Sequence, residues 1–300
     1  MTSTTVQLGE KAIASRPSAL ADFLELIKVR MNLLVVTTTV VGFYMAVRQH
    51  TDWMRLPATL IGTAFCAAGA SALNQCIERR RDALMPRTRN RPLPMRRLRV
   101  AEALGCGLGM AFGGVAMLAI LVNPLTALLA AFTLFSYVAV YTPLKPLTPW
   151  NTMIGAIPGA IPPVMGWTAV RGSLGPEAFT LLAILFLWQV PHFMAIAILY
   201  KQDYAAAGFK MLPVVDGSLS RTGRQIILCS AALVIVSMIP TFLGMTSIGY
   251  ITPAVLLGLA FMSFAIECAS TGLRTDARKL FIASIVYLPL LLGVMMFNRI

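Results

Sequence analysis

Asn74, Glu78 and Asp82 stand four apart in the stretch "NQCIERRRDALMPRTRNRPLP", residues 74–94. In a helix that spacing keeps all three on one face, with about 6 Å of rise between successive members. Two carboxylates and an amide so arranged suit Mg²⁺, which takes one or two carboxylates and fills its octahedron with waters and phosphate oxygens. The plainer alternative is that Glu78 and Asp82 pair with Arg79, Arg80 and Arg81 at a membrane edge. Arg87, Arg89 and Arg91 follow at alternate positions between Pro86 and Pro92. The prolines argue against a helix here and predict a structured, extended loop with three guanidiniums on one side. Such a row can clamp a diphosphate through bidentate bonds. It can also anchor the chain to anionic lipid heads, but an anchor has no need of neighbouring acids.

A second group lies in "YKQDYAAAGFKMLP", residues 200–213, where Asp203 is flanked by Tyr200, Lys201, Tyr204 and Lys210. Asp203 reads either as an interfacial ion-pair partner or as a second metal locus. "YTPLK" adds Tyr141 and Lys145, and "FLWQVPHFMAIAIL" holds His192, the sole histidine in an expected membrane span. An ionisable group at membrane depth is a functional candidate by default, and neutral histidine is a common ligand of transition metals and haem iron. Its alternative is a hydrogen-bonded packing role beside Pro191. Metal-binding acids and a basic clamp at one membrane face point to a lipidic diphosphate and to ionisation of an allylic C–O bond. Mg²⁺ and basic groups would stabilise the departing diphosphate. The carbocation would need a dry, π-rich pocket, for which Phe135, Tyr137, Tyr141, Trp167, Trp188 and Phe193 are available.

The elements that must position these groups are membrane helices. The chain of 300 residues is 57% hydrophobic and 12% charged, with mean hydropathy +0.76, against about 25% charged in soluble domains. Windows of about 20 apolar residues give nine spans, at 31–47, 56–76, 100–121, 124–142, 150–170, 178–199, 226–244, 248–268 and 280–297. The stretch "IGAIPGAIPPVMGW" reads as a kinked helix. The expected fold is all-α and polytopic, with about nine transmembrane helices around a central cavity. Residues 1–27 would form a cytoplasmic tail and 28–300 a single membrane-embedded domain.

The net charge of +13 does not call for nucleic acid. With the N-terminus cytoplasmic, every Lys and Arg falls on the inner side except Arg48, Arg55, Arg171 and Arg299, as the positive-inside rule describes. The first 30 residues show no apolar core followed by a cleavage site, so no signal peptide is expected, and Glu10, Asp22 and Glu25 argue against a transit peptide. The five cysteines (66, 76, 106, 229 and 268) have neither metal nor disulfide spacing and read as packing residues.

Beyond chemistry by type, the Asn74–Glu78–Asp82 pattern resembles the N-x-x-x-[DE]-x-x-x-D motif of UbiA-type intramembrane prenyltransferases. The run "DALMPRTRNRPLP" is similar to that of one branch, the protohaem IX farnesyltransferases, as are "YTPLKPLTPWN", "GAIPGAIPPVMGW", "FLWQVPHFMAIAI" and "YKQDYAAAGFKMLPVVDG". The resemblance covers roughly residues 25–230. It implies transfer of the farnesyl group of farnesyl diphosphate to a vinyl group of haem b, giving haem O and diphosphate for haem-copper oxidases. It further implies that Asn74, Glu78, Asp82 and Asp203 hold Mg²⁺ and the diphosphate. Arg87, Arg91, Lys145, Lys201 and Tyr141 would be substrate contacts and His192 a haem-side residue. The setting implied is the bacterial plasma membrane, with the active site towards the cytoplasm and haem A synthase or a terminal oxidase as candidate partners. The family's second acidic motif is thinner here, with Asp203 and the more distant Asp216 alone. Other readings are a quinone-type acceptor, a transporter gated through Glu267, and a haem-handling assembly factor.

Overall fold

In lipid an apolar segment must satisfy its backbone hydrogen bonds internally, and the helix does so one segment at a time. The computed structural model describes residues 18–300, so residues 1–17 of the expected tail lie outside the described residues. A short α1 (Ala19–Leu26) precedes α2 (Val29–Ala46), α3 (Arg55–Asp82), α4 (Val100–Leu121) and α5 (Pro124–Phe135). After α5 the chain forms a π-helical turn at Ser136–Tyr141 and then α6 (Thr142–Leu144). Next come α7 (Asn151–Ala160), α8 (Pro162–Arg171), α9 (Pro176–Leu199), α10 (Lys201–Ala206) and α11 (Leu212–Val215). The chain ends in α12 (Ser220–Val236), α13 (Ile239–Phe242), α14 (Ile251–Thr271) and α15 (Arg274–Phe297).

Among the described residues these elements make nine segments long and apolar enough to cross a membrane, matching the nine expected spans. There is no β-strand among them, only an isolated antiparallel bridge between Thr246 and Arg299. The kink expected in "IGAIPGAIPPVMGW" falls at Ile161, between α7 and α8, where Pro162 and Pro163 follow. Several helices outrun their apolar windows: α3 reaches Asp82, α12 begins at Ser220 and α15 at Arg274. Hydropathy registers the lipid-facing stretch, whereas a helix continues into polar turns that water or partner side chains can satisfy.

Helices in lipid gain nothing from burying one apolar face against another that lipid would cover equally well, so close backbone packing decides their arrangement. On α3 and α4, Gly69 faces the Gly107 carbonyl and Gly114 faces Cys66 and the Gly62 carbonyl, each so near that a β-carbon would sit 2.7 Å away. The α2–α8 crossing is tighter still. A β-carbon on Gly166 would lie 2.0 Å from the Thr39 carbonyl oxygen. The α3–α4 crossing fixes α3, which carries the three motif residues.

Residues 18–27 form a helix docked on α3. Leu26 is buried with Ala72, Cys76 and Leu93, and Gln75 donates to the carbonyls of Glu25 (3.2 Å) and Leu26 (2.7 Å). Arg97 ties α1 to the loop after α3, with Nε 2.8 Å from Asp22 Oδ1 and Nη1 2.9 Å from the Asn90 carbonyl. Glu267, the acid that would suit a transporter, makes a surface pair with Lys279 at 2.6 Å.

The α2–α8 approach yields a prediction. Gly166→Ala forces backbone apart and should destabilise the chain by about 1–3 kcal/mol, read as a lower melting temperature of the detergent-solubilised protein. An unchanged melting temperature would mean the crossing is looser than described.

Candidate active site

The last turns of α3 carry Asn74, Glu78 and Asp82 inward: they are 1%, 6% and 1% exposed, while Arg80 on the other side of the same turn is open to solvent. Burying carboxylates here requires compensation, and the partners come from distant segments rather than from Arg79–Arg81. Lys145 Nζ lies 2.7 Å from Glu78 Oε1, and Arg91 Nη1 donates to Asp82 Oδ2 at 2.8 Å. Lys145 is the one side-chain partner of Glu78 among the described residues. Lys28 Nζ donates to Asn74 Oδ1 at 3.3 Å, and Asn74 Nδ2 donates to Thr142 Oγ1 at 3.1 Å.

Two of these partners depend on unusual backbone. Lys28 sits at φ 50°, ψ 52° between α1 and α2, a left-handed conformation that side chains other than glycine adopt at a cost of about 1–2 kcal/mol. Such outliers cluster at functional sites. Thr142 follows the π-helical turn, where its hydroxyl donates to the Tyr137 carbonyl at 2.8 Å. A π-turn shifts the face that later residues present, and it is frequent at functional sites.

The loop after α3 corrects the expectation of an extended row of arginines. Residues 83–99 run as successive turns, with the Thr88 and Arg89 amides both donating to the Met85 carbonyl and Arg91 N to Thr88 O. The alternation is therefore broken: Arg91 reaches Asp82, Arg87 lies over the rings of Tyr204 (4.4 Å) and Tyr200 (4.6 Å), and Arg89 remains exposed. Arg87 thereby links the first group to the second. Lys145 lies over Tyr141 at 4.6 Å. Asn151 latches the loops together, its Nδ2 donating to the carbonyls of Thr148 (2.6 Å), Lys210 (3.0 Å) and Lys145 (3.3 Å).

Asp203 and Lys201 lie in α10, partly exposed, and form no ion pair among the described residues. Asp216 is committed elsewhere: its Oδ2 accepts from the Thr222 amide (2.8 Å) and hydroxyl (2.9 Å), holding the start of α12. Among the described residues no three His, Cys, Asp or Glu side chains gather closely enough to hold an ion by themselves. An Mg²⁺ site nevertheless fits Asn74, Glu78 and Asp82, because this ion needs only one or two carboxylates when phosphate oxygens complete its shell. Glu78 has no partner besides Lys145 among the described residues, which leaves carboxylate lone pairs for an ion.

Charge in the site is unbalanced towards positive. Desolvation, with Arg91 and Lys145 nearby, pulls Lys28 down to about 7 despite the opposing carboxylates. Burial first, and the neighbouring cations second, drive Lys28 towards neutrality. Burial acts most strongly to lower Lys145, but Glu78, Tyr137 and Tyr204 together outweigh it and hold this lysine above its ordinary value.

His192 stands apart from this cluster, seven residues before the end of α9 and so about 10 Å deeper along the helix. It stacks on Trp188 (5.0 Å) and Phe281 (5.2 Å). Its Nδ1 is 2.7 Å from Ser284 Oγ, and that hydroxyl gives its one proton to the Phe281 carbonyl at 2.6 Å. Nδ1 must then carry the hydrogen, which leaves Nε2 as the lone-pair nitrogen, with no hydrogen bond among the described residues. Of the aromatics expected to line the site, Trp167 packs under Arg171 and Phe135 is 63% exposed, so neither belongs to this aromatic stack. Sequence alone did not single out Lys28, Thr142 or Asn151. Lys28 is indistinguishable from other basic residues of the tail, and the other two act through backbone geometry.

If Asn74, Glu78 and Asp82 hold metal with diphosphate, Mg²⁺ plus inorganic diphosphate should raise the melting temperature of the purified chain, by linkage worth about 2.7 kcal/mol at a hundredfold excess over the dissociation constant. Asp82→Asn or Glu78→Gln should remove most of that rise, measured against each variant's own ligand-free melting temperature. A full rise in both variants would show that these acids hold nothing.

Residues 35–288 match the UbiA prenyltransferase family. A protein named protoheme IX farnesyltransferase from Solibacter usitatus is 44% identical over 287 residues, covering 93% of this chain and 98% of its own. One of the same name from Sorangium cellulosum is 46% identical over 244 residues, covering 81% and 86%. Among solved structures, digeranylgeranylglyceryl phosphate synthase superposes with a TM-score of 0.76 at 16% identity, covering 93% of this chain and 98% of the other. A UbiA homolog from Archaeoglobus fulgidus bound to GPP and Mg²⁺ gives 0.65 at 19%, covering 91% and 99%. At such identities the structures speak for the fold.

Proposed function

The chain belongs to the UbiA prenyltransferase family, and from that premise we propose that it transfers the farnesyl group of farnesyl diphosphate to a vinyl group of haem b, forming haem O and diphosphate. The observation that carries the reading is a buried Asn74–Glu78–Asp82 face held by Lys28, Lys145 and Arg91. The acceptor is supported by relatives named protoheme IX farnesyltransferase that match nearly end to end.

The diphosphate lies against Lys145, Arg91 and Arg87, whose donors match its oxygens. Asn74, Glu78 and Asp82, with Asp203 as a further ligand, would hold Mg²⁺, which would neutralise the leaving group's charge. On binding of the diphosphate, Lys145 and Arg91 change partner from carboxylate to diphosphate, so they already face the leaving group when its charge develops as the farnesyl C1–O bond breaks. Tyr137 and Tyr141, with ring centroids 5.4 Å apart, offer π faces towards the allylic cation. The vinyl carbon attacks C1, water adds to the resulting cation, and loss of a proton gives the hydroxyethylfarnesyl group. His192, with Nε2 free, sits on the haem side. Lys201 is a further phosphate contact. The Lys and Arg distribution supports a cytoplasmic site in a bacterial plasma membrane, and haem A synthase or a terminal oxidase would take the product.

The test is a mass-spectrometric assay of the purified chain in lipid, given haem b and farnesyl diphosphate with Mg²⁺ or with EDTA. Haem O that depends on Mg²⁺ is expected, with His192→Ala weakening haem binding. A product from p-hydroxybenzoate and none from haem b would transfer the reading to a quinone-type acceptor. Haem binding without any product would leave a haem-handling protein.

A further inference from the structure

Arg48, Arg55, Arg171 and Arg299 are the four basic residues that the charge distribution leaves on the face opposite the buried acids, and all four line one cavity of about 980 Å³. They come from four separate places: the end of α2, the start of α3, the end of α8 and the residues after α15. A face nearly stripped of cations would be expected to scatter the few that remain. Here the fold gathers every one of them.

Neutralisation within the cavity is incomplete. Asp52 is the one acidic side chain in its lining, 3.4 Å from Arg55, and its Oδ1 also accepts the Met54 amide. Arg48, Arg171 and Arg299 form no ion pair among the described residues. Two of them are nonetheless held in place. Arg171 lies 5.1 Å over the Trp167 ring with a buried Nε that has no partner, and Arg299 lies 5.1 Å over Tyr44 and donates to the Val47 carbonyl. Guanidiniums stacked on rings keep their forks preorganised for oxyanions. Val47 and Val170 add an apolar wall, and the volume is within the range of about 300–1,000 Å³ typical of ligand sites.

We propose that this cavity binds the oxyanion headgroup of an amphiphile at the membrane surface opposite the catalytic face. The site is distinct from the diphosphate cluster, since a crossing of about 20 residues separates the two ends by about 30 Å. Phosphate of an anionic lipid and the carboxylates of the tetrapyrrole share the chemistry these arginines recognise, and the experiment separates them.

Purified full-length chain is titrated with phosphatidylglycerol or phosphatidylcholine by native mass spectrometry, and with haem b by absorbance. The variants are Arg48→Gln with Arg171→Gln, and the matching lysine pair. Phosphatidylglycerol affinity should fall at least fivefold in the glutamine pair and recover partly in the lysine pair, with phosphatidylcholine unaffected. A fall confined to haem b would support the same site with carboxylates as its ligand. Unchanged affinity for both in a monodisperse glutamine pair would overturn the proposal. Should that pair fail to fold, Arg48→Gln alone, at an exposed position, is titrated in the same way: a fall in affinity supports the site and unchanged affinity overturns it.

Discussion

Two carboxylates buried at the edge of a membrane must be neutralised, and nearly every local feature of this protein follows from how that is done. Glu78 and Asp82 are held by Lys145 and Arg91, one from the end of the fourth span and one from the loop after α3. Removing one partner of such a pair leaves an uncompensated buried charge, at a cost of about 3–5 kcal/mol. The constraint therefore couples segments far apart in sequence. It also gathers Lys28, Lys145 and Arg91 around the same helix end.

The scaffold serves that constraint. Glycine contacts at the α3–α4 crossing fix α3. The left-handed turn at Lys28 lets α1 fold back onto α3 while its ammonium reaches Asn74. The π-turn and Thr142 supply the amide's other partner. Asn151 binds the loops after the fourth and sixth spans to each other, keeping Lys145 near Glu78 and the Tyr200–Tyr204 pair beneath Arg87.

Much of this was legible in the sequence, and for a physical reason. Helix periodicity alone places residues 74, 78 and 82 on one face, and hydropathy alone finds spans that must be helical in lipid. Arginine roles were not legible, because alternate spacing predicts a common side only in extended backbone, and residues 83–99 turn instead. Asp216 looked like part of an acidic motif, but whether an aspartate holds metal or caps a helix depends on which amides face it. The free nitrogen of His192 depends on a serine 92 positions away. The four outer arginines could be counted in the sequence, whereas their convergence exists only in the fold.

If the acids stay engaged by cations until a diphosphate draws those cations away, metal and diphosphate bind cooperatively. Mg²⁺ affinity of the purified chain, measured calorimetrically with and without farnesyl diphosphate, tests it most directly. Weak Mg²⁺ binding alone is expected, with at least about tenfold tightening by the diphosphate and reciprocal tightening of the diphosphate by Mg²⁺. Equal Mg²⁺ affinity in the two conditions would contradict it.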